Sequence, residues 1–412
     1  MGNCCKNQDF ERIHLEFSRV NQEVEIEIRK KDGATKKPEK VRFTFKPAQT
    51  RVHKTISQAG IQLKISGIVL PGQDPHNKIA KECQDGLLIF TEDQHIFLCI
   101  FDGHGTTGKA TVDFCISYMN AFISGASKNH IDDPCRFLTE MIISCDKQLR
   151  ENTDIDTAIS GTTAVCCYLR DEELYVASVG DSRAILASIG ENREKEDIAK
   201  PNPYKKNIHV ENEIKYTLLT IDQKPDVESE KERILESGAK IRQLTNLLGQ
   251  PIGPARVWNK AGNMPGLAMS RSIGDNVAKK LGVISNPIVQ SFSITPRSDL
   301  FLVLASDGVW DVLTNTEAIR YVDYYRKHCD NSSIPVNLID PKNSSIAELL
   351  AEYSRYCWLS IVEDEDVIID DISVIILELN SLFPDDYQPK KRPSKSTSIE
   401  SQELQERLIG AK

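Results

Sequence analysis

The stretch TTAVCCYLRDEELYVASVGDSRAILAS, residues 162–188, decides the fold of this 412-residue chain. It holds three apolar runs separated by short connections at Arg170–Glu173 and Gly180–Ser182. Parallel neighbours need a crossover of about a dozen residues or more, so these connections favour antiparallel hairpins. The stretch therefore predicts an antiparallel sheet.

Similar short apolar runs recur on both sides of this stretch. They are LLIF from Leu87, IFLCIF from Ile96, LFLVLA from Leu300 and ISVIILEL from Ile372. Residues 112–123 and 137–149 have apolar residues at spacings of three and four, which predicts two consecutive amphipathic helices. Antiparallel strands combined with such helices indicate the α+β class, with helices layered on sheets.

Aspartates stand at the ends of these predicted strands. Asp102 lies in FDGHG, residues 101–105, directly after an apolar run. The others in comparable positions are Asp85, Asp181, Asp307, Asp311 and Asp370. One such aspartate is often only a turn or cap residue, but several in one pocket cannot all stay ionised without cations. All-oxygen ligands suit Mg²⁺ or Mn²⁺, because zinc usually takes His or Cys ligands.

This pattern is typical of a site for phosphoryl chemistry. Two such ions a few Å apart clamp a phosphoryl group and lower the pKa of a water molecule between them. His104, two residues after Asp102, is then placed to protonate the leaving oxygen as a general acid. The alternative for this histidine is a packed or surface residue with no chemical role.

Composition narrows the class of protein. Hydrophobic residues make up 40% and charged residues 27%, and no apolar run approaches the roughly 20 residues of a membrane helix. The net charge of -9 argues against a nucleic-acid partner, because binding to the phosphate backbone needs a basic face. The 11 cysteines include no CxxC pair, so we expect buried free thiols and no structural zinc.

The N-terminus carries a candidate lipid anchor. The chain begins MGNCCK, and Gly2 followed by Cys4 and Cys5 suggests a myristoyl chain plus a palmitoyl chain, which together attach a protein to the cytoplasmic face of a membrane. Lys6 stands where the myristoylation pattern has Ser or Thr, so the alternative is an unmodified, disordered start.

Residues 10–20 carry an apolar stripe at helical spacing. EVEIEI at 23–28 and VRFTF at 41–45 then predict a hairpin with a basic connection, which either attracts anionic lipid or is a solvated loop. Three later segments are predicted as surface insertions that shape a binding rim, at 190–215, 243–265 and 330–345. The predicted division is an N-terminal extension at 1–50, a catalytic domain at 51–382 and a flexible tail at 383–412.

Eight motifs in a fixed order resemble those of the metal-dependent serine/threonine protein phosphatases of type 2C. Across residues 61–379 they read CQDG, FDGHG, SGTTAV, VGDSRA, LTIDQKP, PGLAMSRSIGD, ASDGVWDVL and DDISVIIL. The resemblance implies an αββα sandwich of two antiparallel sheets flanked by helices. It also implies a binuclear Mg²⁺ or Mn²⁺ centre and phosphoprotein substrates, and we expect a cytoplasmic monomer.

The same resemblance implies a role for each motif residue. Asp102 is similar to the carboxylate that bridges both ions, and the Gly103 carbonyl to a ligand of one of them. Asp307 and Asp370 are similar to ligands of the other ion, and Asp85 to a carboxylate that holds metal-bound water.

Two further roles come from the resemblance alone. Asp181 and Asp311, together with Asp307, match the positions of a weaker third metal site. His104 matches the general acid of the family.

The chain departs from the family pattern at three positions. Gln84 stands where some members have Glu, and Gln223 replaces the histidine of the usual LTxDHKP motif. The phosphate-binding arginine before the first acidic motif has no clear counterpart. Lys81, four residues before Asp85, is the candidate to supply that positive charge, as a point charge rather than a bidentate fork.

All the carboxylates implied by the resemblance are present, so the leading hypothesis is an active phosphatase. Two alternatives stay open: a pseudophosphatase that binds a partner through its insertions, and a membrane-anchored scaffold that depends on residues 1–50. Metal-dependent hydrolysis of a phosphopeptide separates the first hypothesis from both.

Overall fold

A computed structural model describes residues 16–20, 23–28, 39–44, 48–58, 61–73, 82–92, 95–126, 131–189, 214–246, 248–328, 344–361 and 368–379. Two antiparallel sheets pack face to face in these residues, and helices cover both outer faces. The predicted α+β sandwich is confirmed.

The first sheet contains seven strands. They are β6 (Asp85–Glu92), β7 (His95–His104), β8 (Gly161–Thr162), β9 (Ala164–Arg170), β10 (Glu173–Val179), β16 (Ile273–Gly274) and β17 (Ile288–Ser293). The order is β16-β8-β7-β9-β10-β17, and β6 also pairs with β7. The hairpin predicted at Arg170–Glu173 joins β9 to β10 and is confirmed.

The second sheet contains six strands in the order β12-β11-β18-β19-β5-β4. They are β4 (Thr50–Gln58), β5 (Ile61–Leu70), β11 (Arg183–Ile189), β12 (Ile214–Leu218), β18 (Asp299–Ala305) and β19 (Ile372–Glu378). Side chains such as Ile100 and Val165 from the first sheet meet Leu302 and Ile375 from the second in one apolar layer. Burial of this layer holds the two sheets together.

The hairpin predicted at Gly180–Ser182 is wrong, because β10 and β11 lie in different sheets. Gly180 has a φ of 99°, a conformation that glycine adopts readily, and a Cβ at this position would lie 2.7 Å from the Thr163 side chain. The glycine therefore turns the chain sharply from one sheet to the other. This turn places Asp181 between the two sheets.

Helices α1 (Gly108–Gly125) and α2 (Pro134–Glu151) cover the first sheet and confirm the two predicted helices. Helix α2 begins at an Asp133 cap, whose side chain accepts a hydrogen bond from the Arg136 N–H at 3.0 Å. Helices α6 (Asn315–His328) and α7 (Ile346–Ile361) cover the second sheet. The short helices are α3 (Glu228–Glu236), α4 (Asn276–Lys279) and α5 (Asp307–Trp310).

The helical pattern predicted at 10–20 is wrong where the structure describes it, over residues 16–20. Strand β1 (Glu16–Val20) pairs with β2 (Glu23–Ile28), which pairs in turn with β3 (Glu39–Thr44). The alternating strand EVEIEI offers its neighbours a hydrogen-bonding edge, and this pairing overrides the helical spacing. The predicted hairpin between β2 and β3 is confirmed.

The loop predicted at 243–265 is largely a small antiparallel sheet. Its strands are β13 (Lys240–Thr245), β14 (Pro251–Trp258) and β15 (Pro265–Leu267). The Arg242 guanidinium lies 4.8 Å from the centre of the Trp258 ring, and Val257 packs with Leu267 in a small core of its own. The sheet arises because β-branched and aromatic residues surround the turn residues in this segment.

Several predictions fall on residues that the structure does not describe. Lys81, Gly2, Cys4 and Cys5, the tail at 383–412 and most of the segments 190–215 and 330–345 lie outside the described residues. The eight cysteines within the described residues are free thiols, as expected. None of the described helices is long and apolar enough to span a membrane.

Candidate metal centre and active site

A pair of adjacent strands brings the first two predicted carboxylates together. Asp85 opens β6 and Asp102 lies near the end of β7, and the register places them directly opposite each other. Residues opposed in this way point to the same face of a sheet, with Cβ atoms about 5 Å apart. Asp85 is only 2% exposed, and the Ser306 hydroxyl donates a hydrogen bond to its carboxylate at 2.8 Å.

The second sheet adds carboxylates at the same end of the sandwich. Asp307 follows β18, and Asp370 precedes β19. Because β18 and β19 are antiparallel neighbours, the end of one strand and the start of the other lie at one edge. Asp181 joins them from the turn between the sheets, and the exposed Asp311 follows one helical turn after Asp307.

Burial and mutual repulsion raise the pKa values of this cluster. Burial first, and then the charge of Asp371, raise the pKa of Asp85 to about 8. Burial, followed by the charge of Asp307, raises the pKa of Asp102 well above its usual range. Burial and then Asp181 do the same to the pKa of Asp307. Each carboxyl responds to its neighbours, so the aspartates act as one electrostatic site.

The chemistry of these groups fits a hard divalent cation. The Oδ1 atoms of Asp181 and Asp307 are buried and have no hydrogen-bond partner among the residues that the structure describes. Leaving a buried acceptor unpaired costs about 1–3 kcal/mol, which cation binding would offset. Within the described ranges, no group of three or more His, Cys, Asp or Glu side chains is arranged as a metal site. The fit of these aspartates to a divalent cation therefore depends on the chemistry of their donor atoms.

Gly103 occupies a position where only glycine fits. A Cβ there would lie 2.6 Å from the Gln84 carbonyl, 2.8 Å from the Val112 side chain and 2.9 Å from the Gly108 carbonyl. Cβ atoms do not approach backbone this closely. The backbone beside Asp102 therefore packs tightly against the start of α1.

His104 is held by a carboxylate that the sequence analysis missed. Its Nε2 atom lies 2.7 Å from Oδ2 of Asp275, and its Nδ1 atom is buried with no hydrogen-bond partner within the described part of the chain. Burial by itself lowers the pKa of His104, but the charges of Asp275 and Asp181 raise the pKa above its usual value. These contacts favour the protonated ring, the form that a general acid needs.

Lys224 is a second residue that the sequence analysis missed, although it lies within the LTIDQKP motif. Its ammonium group pairs with the carboxylate of Asp181. Burial lowers the pKa of Lys224, but Asp181 and then Asp307 raise it, so the side chain stays charged. Lys224 thus places a fixed positive charge inside the acidic cluster.

Asp371 positions the segments that carry two of the predicted ligands. It is 3% exposed, and its carboxylate accepts hydrogen bonds from the Gly72 N–H at 2.5 Å and the Gln84 N–H at 2.9 Å. Asp371, the residue after Asp370, is thereby joined to Gln84, the residue before Asp85. The Gln84 side chain also donates to the Gly105 carbonyl at 2.9 Å, so a neutral amide is suited to this position.

The structure explains why a glutamine stands at position 223, which the sequence did not. Its side-chain oxygen accepts a hydrogen bond from the Gly180 N–H at 2.7 Å, and its amide nitrogen donates to the Ser178 carbonyl at 3.0 Å. One amide therefore satisfies both a donor and an acceptor at the turn before Asp181. A glutamine at this position therefore fits the turn that carries Asp181.

Comparisons with known proteins agree with this fold. The sequence profile of protein phosphatase 2C matches residues 73–353. The chain is 34% identical over 287 residues to probable protein phosphatase 2C 61 of Arabidopsis thaliana, across 69% of this chain and 76% of that protein. It is 35% identical over 311 residues to probable protein phosphatase 2C 73 of the same species, across 70% and 72%.

A solved structure shares the fold. It is the serine-threonine phosphatase 2C from Toxoplasma gondii, with a TM-score of 0.57 and 18% identity over 80% of this chain and 99% of that one. The likeness shows that this chain has the same fold, two antiparallel sheets between layers of helices. The chain belongs to the protein phosphatase 2C family and is a protein serine/threonine phosphatase.

Proposed function

We propose that this protein hydrolyses phosphoserine and phosphothreonine in proteins with a binuclear Mg²⁺ or Mn²⁺ centre. The observation that carries the proposal is the cluster of strand-end aspartates with unpaired buried oxygens on Asp181 and Asp307. Bound ions would supply positive charge to the phosphoryl oxygens and an activated water for direct attack at phosphorus.

Each residue has a proposed part in this reaction. Asp102 and the Gly103 carbonyl would hold one ion, and Asp102, Asp307 and Asp370 would hold the second. Asp85 orients the attacking water.

The remaining residues serve the substrate and a weaker third ion. Asp181, Asp307 and Asp311 would hold the third ion, and the Lys224 ammonium would offset part of the negative charge of these carboxylates. His104 donates a proton from Nδ1 to the leaving oxygen, because its Nε2 atom already pairs with Asp275. Lys81 stays the proposed phosphate-binding cation.

Hydrolysis of a phosphothreonine peptide by the full chain tests this proposal. We expect activity with Mn²⁺ that is abolished by EDTA and by Asp102→Asn. Asp299→Asn is a matched control, since Asp299 is a buried aspartate at the opposite end of β18 and binds Ser188 and the Thr295 N–H instead. Activity that survives chelation would contradict the metal mechanism, and no activity under any condition would favour a scaffold.

We also propose a location for the protein, supported by sequence alone. Gly2 carries a myristoyl chain and Cys4 or Cys5 a palmitoyl chain, so that a cytoplasmic, monomeric enzyme attaches peripherally to the membrane. In this proposal, residues 1–50 are the anchor segment, 51–382 the catalytic domain and 383–412 a regulatory tail. Intact-mass measurement on protein from its native cell tests the acyl chains, and light scattering tests the monomer.

A further inference from the structure

Asp275 is held in an unusual backbone conformation. It lies directly after β16 with φ of 52° and ψ of 50°, in the left-handed region that residues other than glycine adopt uncommonly, asparagine and aspartate most often among them. The residue is 1% exposed, and the one hydrogen bond of its carboxylate found in the described structure goes to His104. Strain of this kind persists only where the surrounding structure enforces it, and it occurs preferentially at functional sites.

The surrounding backbone enforces this conformation. The Asp275 N–H donates to the Ser160 carbonyl at 2.9 Å, and the Lys279 N–H donates to the Asp275 carbonyl at 2.9 Å. Gly161 leaves room for the carboxylate, because a Cβ at that position would collide with Oδ2 of Asp275. The fold therefore keeps a space open for this one side-chain group.

A second buried aspartate fixes the turn from the other side. Asp146 on α2 is 2% exposed, and its Oδ1 accepts hydrogen bonds from the Gly274 N–H and from Nζ of Lys279, both at 2.9 Å. Its Oδ2 accepts from Arg150 at 2.7 Å and from Ser285 at 2.9 Å. Asp146 thus ties the residue before Asp275 to a helix that packs on the first sheet.

We infer that Asp275 is a positioning residue for His104 and that Asp146 anchors Asp275. This inference rests on the proposed role of His104 as the general acid. With Nε2 directed to Asp275, Nδ1 is the ring nitrogen that has no hydrogen-bond partner within the described residues, and it is therefore the one available to donate a proton. As the P–O bond breaks, its electron pair stays on the serine or threonine oxygen, and that oxygen takes the Nδ1 proton. The ring, now neutral, keeps its other proton on Nε2, which stays hydrogen-bonded to Asp275.

Two substrates with different leaving groups test this inference. A phosphothreonine peptide releases an alkoxide that needs a proton, whereas 4-nitrophenyl phosphate releases a stable phenolate that does not. Asp275→Gly removes the carboxylate and tolerates the left-handed backbone, and Asp275→Asn is a second variant that keeps the side-chain shape. We expect kcat for the peptide to fall about 100-fold at nearly constant KM, and kcat for 4-nitrophenyl phosphate to fall less than about threefold.

A double-mutant cycle separates positioning from general structural damage. His104→Ala should give the same leaving-group pattern, and combining it with Asp275→Gly should add no further loss. Asp146→Asn should lower peptide turnover about 10-fold by the same route. Asp299→Asn, at the far end of β18, should leave the ratio of the two substrates unchanged.

The outcomes distinguish this inference from the proposed function. Equal losses for both substrates in the Asp275 variants, or no loss in either, would overturn the positioning role. If His104→Ala discriminates between the substrates and the Asp275 variants do not, only the present inference fails. If His104→Ala affects both substrates equally, the general-acid assignment fails and the inference fails with it.

Discussion

Asp85 and Asp102 face each other directly across the antiparallel strands β6 and β7. Like charges in directly opposed positions destabilise a sheet, and burial raises the pKa of both carboxyl groups. Without a bound cation, the two opposed carboxyl groups that the proposed site requires therefore destabilise the fold. Either a proton or a cation relieves the repulsion, so fold stability should depend on pH and on metal.

The metal-free protein should lose stability as pH rises from about 5 to about 8. The usual pKa of an aspartate carboxyl is 3.8, and the pKa of Asp85 in the fold is about 8. Over this range the folded protein keeps a proton that the unfolded chain has released, so rising pH favours unfolding. Urea unfolding in EDTA at several pH values measures the effect, and stability that is constant or rises with pH would contradict it.

Asp102→Asn should separate stability from activity. Asparagine needs neither a proton nor a cation at this buried position, so the variant should be about 1 kcal/mol more stable than the metal-free parent, a rise of a few °C in Tm. Its turnover should fall roughly a thousandfold, because several kcal/mol of metal-derived stabilisation are lost. Thermal melts with EDTA and with Mn²⁺ check both parts. A variant that keeps the Mn²⁺-dependent rise in Tm would argue against Asp102 as a bridging ligand.

The strands could be predicted because their apolar runs are short and most of their connections are visible in the sequence. Helices α6 and α7 were harder, since tyrosines form much of their contact, as in the Tyr321 and Tyr353 rings stacked 4.2 Å apart. Tyrosine has an apolar ring and a polar hydroxyl, so a helix that packs through tyrosines shows a less distinct apolar stripe in its sequence. The turn at Gly180 was misassigned because a short connection does not reveal whether the next strand stays in the same sheet.

The site could be predicted only in part. The aspartates could be predicted because each lies close to an apolar run that forms a strand, a pattern visible within a few residues of sequence. Asp275 lies 171 positions from His104, and Lys224 lies 43 positions from Asp181, so each contact depends on how the sheets assemble. Sequence spacing carries no information on such pairs, which is why the partner of His104 appeared only in the structure.

Gly103→Ala should impair metal binding through sterics alone. The added Cβ would lie 2.6 Å from the Gln84 carbonyl and 2.9 Å from the Gly108 carbonyl, so the backbone beside Asp102 must shift. We expect Mn²⁺ affinity, measured by calorimetry, to fall about 10-fold or more. Gly125→Ala is the control, because a Cβ at the end of α1 meets no described atom within 4 Å. Equal Mn²⁺ affinity in the two variants would contradict the prediction.

Gln223→Leu should destabilise the turn that carries Asp181. Leucine has nearly the same volume but leaves the Gly180 N–H and the Ser178 carbonyl without their partners. Each buried group left unpaired costs about 1–3 kcal/mol, so urea unfolding should show a loss in that range or above. Gln243→Leu, which removes one exposed hydrogen bond to the Gly253 carbonyl, should change stability by less than about 0.5 kcal/mol. Equal stability of the two variants would show that the Gln223 amide does not hold this turn.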